Sequence, residues 1–525
     1  MEPLRQLALV FQPAMEAEPL IEQLRHLFIV EEQGRQDDSE TFYDTFDWRL
    51  YRKQLLCVGA GRSRSLLSFD GTQHGMIDDL GPGRKFWWEM TPSEVRETLR
   101  EIIDVRALLP MAALETDKRH CRLLNDDEKT VVRLTIRADV PVGDGAPDQL
   151  AKVVTIDELR GYQEAFDTVH RLCVAYGLTP LDSDSWLAQR AFSGSPRTPL
   201  DYGDKFRVEL ARDSDIGTAI VQICGYLLRE IEFNRQGVYD DVDTEFLHDF
   251  RIAIRRTRSL LSLLKKQLPI REGSYFRREF KWLGGVTGKL RDIDVYLLQK
   301  EAYLAMLPSR LRPGLDGFFA DLEQHRRHEL KLLRRHLSSK RYRSLLSDWR
   351  TFLVADDSPL FGESSRKSCR ELADRTIRKR FRAFLRNGEA ITDDGPDSDM
   401  HNLRIQGKKL RYLLEFFRSL YDEKSLEQFV KQLKKMQDNL GDFNDLCVQE
   451  EMLGARLDGL GGNGRRVLLQ AAALGGLLTV QAKKRGALRD QFAATYAAFS
   501  SSQNRELLVS LIGSDQRPEE RAGRQ

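Results

Sequence analysis

The sequence predicts a multidomain chain with an α+β first part and an all-α, internally duplicated second part. Three observations carry this. Short β-like runs are mixed with helices through the first 200 residues, whereas about 215–499 reads as long amphipathic helices rich in Leu, Arg, Lys and Glu. A Pro/Gly/Ser run, Ser193-Gly-Ser-Pro-Arg-Thr-Pro199, separates them with the composition of an interdomain linker. Charge divides at the same place. The whole 525-residue chain has 82 Lys+Arg against 80 Asp+Glu, yet residues 1–200 carry 24 basic and 33 acidic groups. Residues 201–525 carry 58 and 47, and residues 251–350 alone hold 24 and 10. A basic half of this kind is expected of a protein with an anionic partner.

Taken in order, Leu7–Phe11, Leu66–Phe69 and Val131–Ile136 read as strands, the last alternating Val132, Leu134 and Ile136 with polar neighbours. Glu94–Val105 reads as a helix entered through Thr91-Pro92-Ser93. A first domain is therefore expected over 1–200 and a helical domain over 205–500. Polar breaks at 355–365 and 388–399 divide the latter into 212–354 and 366–500, and the tail 515–525 reads as disordered. Six scattered cysteines without a CxxC pair fit a reducing compartment and argue against a cysteine metal site. No signal peptide is apparent. The longest apolar stretch, Val467–Val480, is too short to span a bilayer and reads as a bundle helix, so no membrane partner is expected.

The repeat is the most informative feature. His248-Asp-Phe-Arg251-Ile-Ala-Ile-Arg255-Arg256-Thr-Arg258 reappears 153 residues later as His401-Asn-Leu-Arg404-Ile-Gln-Gly-Lys408-Lys409-Leu-Arg411. The register holds beyond the motif: Lys265 maps to Arg418, Arg278 to Lys431 and Lys281 to Lys434, while Gly288 and Asp292 map to Gly441 and Asp445. At about 100° per residue, positions 0, +3, +7 and +10 share an arc of roughly 80° and a length of about 15 Å. His248, Arg251, Arg255 and Arg258 thus form one stripe, and His401, Arg404, Lys408 and Arg411 another. Apolar Leu247, Phe250, Ile254 and Leu261 border the first stripe. Cations beside a core face repel one another unless an anion lies between them. Acidic i,i+4 partners are scarce, which weighs against a merely solvated basic face. Arg offers a planar fork to two oxygens, Lys a mobile point charge, and His a donor that an anion strengthens. No nucleophile–base pair is visible, so no catalytic residue is assigned. Gly288, Asp292, Asp294, Gly441 and Asp445 read as structural, an aspartate orienting an arginine of a neighbouring helix. His325, His328 and Glu329 lie in a basic run (Arg326, Arg327, Lys331, Arg334, Arg335) too poor in carboxylates for a metal; that run and Lys483-Lys484-Arg485 are read as further basic surface.

With these motifs the second half resembles the conserved histidine α-helical domain (CHAD) family over about 212–500. The resemblance implies two four-helix bundles related by a pseudo-twofold axis around a basic channel, and binding of inorganic polyphosphate. The implied polyphosphate-binding residues are His248, Arg251, Arg255, Arg256, Arg258, Lys265, Arg278, Lys281, His401, Arg404, Lys408, Lys409, Arg411, Arg418, Lys431 and Lys434. Asn402, Asn444 and Cys447 depart from Asp249, Arg291 and Asp294 of the first repeat, which touches supporting ion pairs and leaves the cations in place. In the first half, Thr41-Phe-Tyr-Asp-Thr45 with Asp47-Trp-Arg-Leu50 is similar to a segment of CYTH-type triphosphate tunnel domains, implying a degenerate antiparallel β-barrel with Lys118-Arg119 and Val131–Ile136 in it. The carboxylate-bearing opening strand of that family is replaced here by Leu7-Ala-Leu-Val-Phe11, and the strand after the Tyr-Asp-Thr segment reads Leu55-Leu-Cys-Val-Gly59. A hard divalent cation thus has no obvious ligands. The expectation is a non-catalytic polyphosphate-binding protein without metal or cofactor, cytoplasmic and associated with polyphosphate granules. A divalent-metal triphosphatase acting through the first domain is one alternative. A nucleic-acid-binding or scaffolding protein is the other, disfavoured because the stripes carry no aromatic stacking platforms.

Overall fold

Alternation along antiparallel strands organises the first of two units, Met1–Asp204, which the chain forms besides Lys205–Gln525. The computed structural model describes residues 5–13, 15–78, 81, 83–143, 150–181, 183–203, 206–354, 368–462 and 464–513. In chain order the first unit contains β1 (Gln6–Val10), α1 (Glu18–Arg25), β2 (Ile29–Asp44), β3 (Leu55–Ala60), β4 (Ser63–Ser68), β5 (Gln73–Ile77), α2 (Glu94–Ile103), β6 (Leu109–Leu124), β7 (Thr130–Val142), β8 (Val153–Glu158), α3 (Gln163–Tyr176), β9 (Thr179–Pro180) and α4 (Ser183–Phe192). The strands form one sheet of order β5-β4-β3-β2-β6-β7-β8-β1-β9. Phe42 and Tyr43, adjacent on β2, enter different clusters: Phe42 joins Trp48 and Leu114, and Tyr43 joins Leu99 and Ile103 of α2. A third cluster buries Leu20, Phe166 and Val169 of α1 and α3 against Leu134 and Ile156.

The sheet is not closed into the expected barrel: among the described residues no pairing joins β5 to β9. Both edges are unsuited to closure. β9 has two residues, and Pro180 has no N–H to donate. β5 is displaced by a register shift opposite Leu66–Leu67 and turns at Gly75, whose φ is +147°. A Cβ at Gly75 would lie 2.6 Å from Val95, so α2 packs directly on this edge. The expected helix at 94–105 is α2, with the Ser93 side chain accepting from Arg96 N.

The Tyr-Asp-Thr segment acts within the fold. Asp44 Oδ1 accepts from Thr45 N at 2.6 Å and Leu50 N at 2.9 Å, and Oδ2 from Tyr51 N at 2.9 Å, closing the turn after β2. Burial pushes the Asp44 acid up to about 7 against these bonds. One face of β2, β6 and β7 carries charges that answer each other. Glu40 takes Arg137 at 2.6 Å and Arg190 at 2.7 Å, Asp139 takes Arg190 at 2.7 Å, and Asp38 takes Lys118 at 2.7 Å. Arg190 arrives from α4, which covers this face. Arg119, on the other face, pairs with Glu18 and Glu32. Beyond α4 the anticipated linker is packed onto the first unit: Arg197 lies 4.0 Å from the Phe46 ring and donates to the Phe46 carbonyl at 2.8 Å.

The second unit contains α5 (Ile216–Asp240), α6 (Thr244–Leu263), α7 (Ile270–Val286), α8 (Gly288–Leu298), α9 (Lys300–Ala305), α10 (Asp316–Leu337), α11 (Lys340–Val354), α12 (Cys369–Glu389), α13 (Asp397–Phe416), α14 (Glu423–Asp458), α15 (Arg465–Phe499) and α16 (Ser502–Ile512). The sequence register recurs in the helix starts: α5, α6 and α7 open at 216, 244 and 270, and α12, α13 and α14 open 153 residues later at 369, 397 and 423. α7 and α8 are separated at Thr287, whereas α14 is continuous for 36 residues. The break anticipated at 355–365 and the tail at 515–525 lie outside the described residues. The break at 388–399 narrows to the stretch between Glu389 and Asp397. Among the described residues no helix is long and apolar enough to cross a membrane.

The approach of α5 to α6 depends on Gly237, where a Cβ would lie 2.2 Å from the Phe246 ring. Gly237→Ala is therefore expected to destabilise the helical unit by about 1–3 kcal/mol, the usual cost of overpacking. The denaturant midpoint followed by far-ultraviolet circular dichroism checks this.

Candidate functional site

Helices α6 and α13 pack against each other, and the seam brings the two stripes together. Each helix turns its apolar residues inward. Phe250, Ile254 and Leu261 of α6 are buried, as are Leu403, Leu410 and Leu414 of α13, so the adjoining cations are held at the edge of the core. The strongest sign of convergence is Lys408. Burial pulls its ammonium down from 10.5 to about 8, with Arg404, Arg255 and Arg411 adding repulsion and Asp445 opposing it. Arg255 belongs to the other repeat, so its field on Lys408 crosses the seam. Burial also lowers Arg251 and Arg258, and Arg255 adds to both effects.

The cations differ in how they are held. Arg251 Nη1 donates to the Gly284 carbonyl at 3.3 Å and to Thr287 Oγ1 at 3.0 Å, neutral acceptors that leave its charge intact. Arg258 lies across Gly284, where a Cβ would come within 2.8 Å of its Nη1. Gly288 faces Arg251 in the same way at 3.5 Å, whereas a Cβ at Gly441 would meet nothing within 4 Å. Arg404 Nη2 donates to Asp445 at 3.2 Å. Glu415 accepts from Arg256 at 2.9 Å across the seam and from Arg411 at 2.8 Å on its own helix. Among the described residues Arg255, Arg258 and Lys408 have no hydrogen-bond or ion-pair partner. Arg255 thus faces both Arg258 on its own helix and Lys408 across the seam, and among the described residues none of the three is paired; the carboxylates of Asp292 and Asp445 act on Arg255 and Lys408 only from beyond pairing distance.

The remaining residues singled out from sequence divide. His401 Nδ1 donates to Asn444 Oδ1, so Asn444 serves the histidine of its own repeat in place of an ion pair. His248 also lies on α6, and Lys409 on α13. Lys265, Lys281, Lys431 and Lys434 are exposed, Lys265 just past the end of α6. Arg418 is taken up by Glu423 and Glu427 at 2.8 and 2.6 Å, and Arg278 by Glu279 at 2.9 Å. The basic run of α10 is partly internal. Arg326 donates to buried Asp294 at 2.7 Å and to Asp241 at 2.6 and 2.8 Å, and Arg334 to the Tyr239 carbonyl at 2.6 Å. These two arginines join helices and are not the basic surface expected of them. Arg485 likewise pairs with Glu450 and Asp397. The sequence reading missed Glu415, Gln437 and Thr287. Glu415 was accessible to it as an i+4 acid after Arg411, and its repeat counterpart is Ser262.

Residues 222–454 match the family model of the CHAD domain. Two uncharacterized proteins from strains of Mycobacterium tuberculosis are each 27% identical over 222 residues, covering 42% of this chain; the chain spans 41% of the length of these curated relatives. Among solved structures, the CHAD domain from the plant Ricinus communis is similar over 56% of this chain and 95% of its own, with 26% identity and a TM-score of 0.47. PptA from Streptomyces chartreusis is similar over 54% and 99%, with 17% identity and a TM-score of 0.43.

The position of Lys408 has a consequence for stability. Between about 8 and 10.5 the unfolded chain holds a proton that folded Lys408 has released, so this group's contribution to stability rises with pH across that window. Denaturant midpoints of the ligand-free protein should show that rise, and Lys408→Met should remove it. Identical pH profiles would contradict the assignment.

Proposed function

Residues 222–454 form a CHAD domain, and from that premise we propose that the helical unit is a non-catalytic binding module for inorganic polyphosphate. The observation that carries the reading is that Arg255, which faces Arg258 on its own helix and Lys408 across the seam, and both of those cations have no hydrogen-bond or ion-pair partner among the described residues, beside Arg251 and Arg404. Such a cluster is unfavourable until an anion enters it. A linear phosphate polymer supplies closely spaced oxygens and no side groups to be read, which suits forked and point-charge donors along two helices. His248, Arg256, Arg411, Lys409 and His401 flank the track, and exposed Lys265, Lys281, Lys431 and Lys434 extend its basic surroundings; Arg278 and Arg418 contribute through charge that local acids already reduce. We read the helices on either side of residue 368 as the two pseudo-twofold-related bundles. With this reading goes a cytoplasmic protein associated with polyphosphate granules, which we offer as part of the same proposal.

Nucleic acid is the weaker fit. Phe206, the ring 5.2 Å from Arg256, is buried and offers no face for a base. In the first unit we read the CYTH-like resemblance as a scaffold without triphosphatase activity, because Glu40 and Asp139 are already engaged by arginines.

Replacing Arg251, Arg255, Arg404 and Lys408 together with Ala is expected to weaken polyphosphate binding by about 100-fold or more while helical content is retained. Calorimetric titration with double-stranded DNA as competitor at fixed salt checks both the site and the ligand class. Retained affinity in the folded variant would sink the assignment. Phosphate release from tripolyphosphate in the presence of magnesium or manganese would overturn the scaffold reading of the first unit.

A further inference from the structure

We infer that Glu415 is a built-in counter-anion that ends the polyanion's track along the α6–α13 seam, so that only part of the repeated cation set is open to ligand. This rests on the polyphosphate reading above. Glu415 is 21% exposed and holds two of the cations at once, Arg256 at 2.9 Å and Arg411 at 2.8 Å. The duplication does not require it: the equivalent position in the first repeat is Ser262, four residues after Arg258 as Glu415 is four after Arg411. A second substitution works in the same direction. Gly284 of the first repeat, over which Arg258 lies, corresponds to Gln437, whose Oε1 accepts from Arg411 Nη1 at 3.3 Å. Arg411 is therefore held by two side chains, while Arg258 has no hydrogen-bond or ion-pair partner among the described residues.

The energetic argument is one of competition. A carboxylate fixed on the protein meets Arg256 and Arg411 without losing translational freedom, whereas an incoming phosphate oxygen must displace it and pay that loss. Ligand charge is accordingly directed to Arg251, Arg255, Arg258, Arg404 and Lys408. The first repeat becomes the stronger anchor, and the end of the track at Arg256 and Arg411 is closed by the protein's own anion. Glu415 also ties α6 to α13, so the alternative is that it only fastens the helices.

The experiment compares wild type, Glu415→Gln and Ser262→Glu in the full chain, titrated with medium-chain inorganic polyphosphate at several salt concentrations, with thermal midpoints recorded alongside. Glu415→Gln should bind about 10-fold more tightly at low salt, with a steeper dependence of log affinity on log salt by up to about two released counterions. Ser262→Glu should weaken binding by placing a carboxylate within reach of Arg258. If wild type binds and folded Glu415→Gln binds equally or more weakly, the inference is overturned and the polyphosphate reading stands. If Glu415→Gln loses its fold, Ser262→Glu decides, and unchanged affinity there overturns the inference. If wild type does not bind, the polyphosphate reading fails and the inference with it.

Discussion

Mutual repulsion among cations that the fold forces together is the constraint on which the helical unit turns. Arg251, Arg255, Arg258, Arg404 and Lys408 stand at the border of a core that also buries Phe250, Ile254 and Leu403. Apolar burial fixes the helices, and the helices fix the charges. The neighbourhood is then adjusted to tolerate them. Carbonyl and hydroxyl acceptors hold Arg251 without cancelling it, and Gly284 makes room for Arg258. Asp292 acts on Arg251 and Arg255 of the first stripe from beyond pairing distance, while among the described residues acids pair with the second stripe at two places, Asp445 on Arg404 and Glu415 on Arg411. Lys408, between them, responds by giving up its proton more readily than a free lysine.

The first unit uses the same residue types to the opposite end. Its sheet presents Asp38, Glu40, Lys118, Arg137 and Asp139 on one face, and α4 adds Arg190. There each carboxylate meets a cation, and the face is self-satisfied. Buried charges are tolerated when paired and held by several hydrogen bonds, which Arg190 achieves with Asp139, Glu40 and Thr116. Composition alone does not separate the two cases, since 82 basic and 80 acidic residues would serve either. Pairing separates them.

Much of this was legible in the sequence because it is periodic. Helical phase put Arg251, Arg255 and Arg258 in one stripe, and the register of 153 residues put Arg404, Lys408 and Arg411 in another. What escaped depends on neighbours distant in sequence. Arg326 and Arg334 read as solvated cations, yet Asp294, Asp241 and the Tyr239 carbonyl lie across the helices from them. The Ser193–Pro199 run has linker composition, yet Arg197 finds the Phe46 ring and carbonyl on the same unit. Likewise the family resemblance implied a closed barrel, but closure depends on edge strands, and a two-residue β9 ending in proline does not supply one. Glu415 was visible as a spacing and missed as a role, because its second partner, Arg256, is on another helix.

The interruption at Thr287 gives the two halves of the duplication a different construction. In the second repeat α14 is an unbroken strut of 36 residues, about 54 Å at 1.5 Å per residue. In the first repeat the corresponding run, 270–305, is interrupted twice, at Thr287 between α7 and α8 and at Gln299 between α8 and α9, and the Thr287 hydroxyl is also the rest on which Arg251 lies. The break in the helix and the resting place of that arginine are thus the same residue.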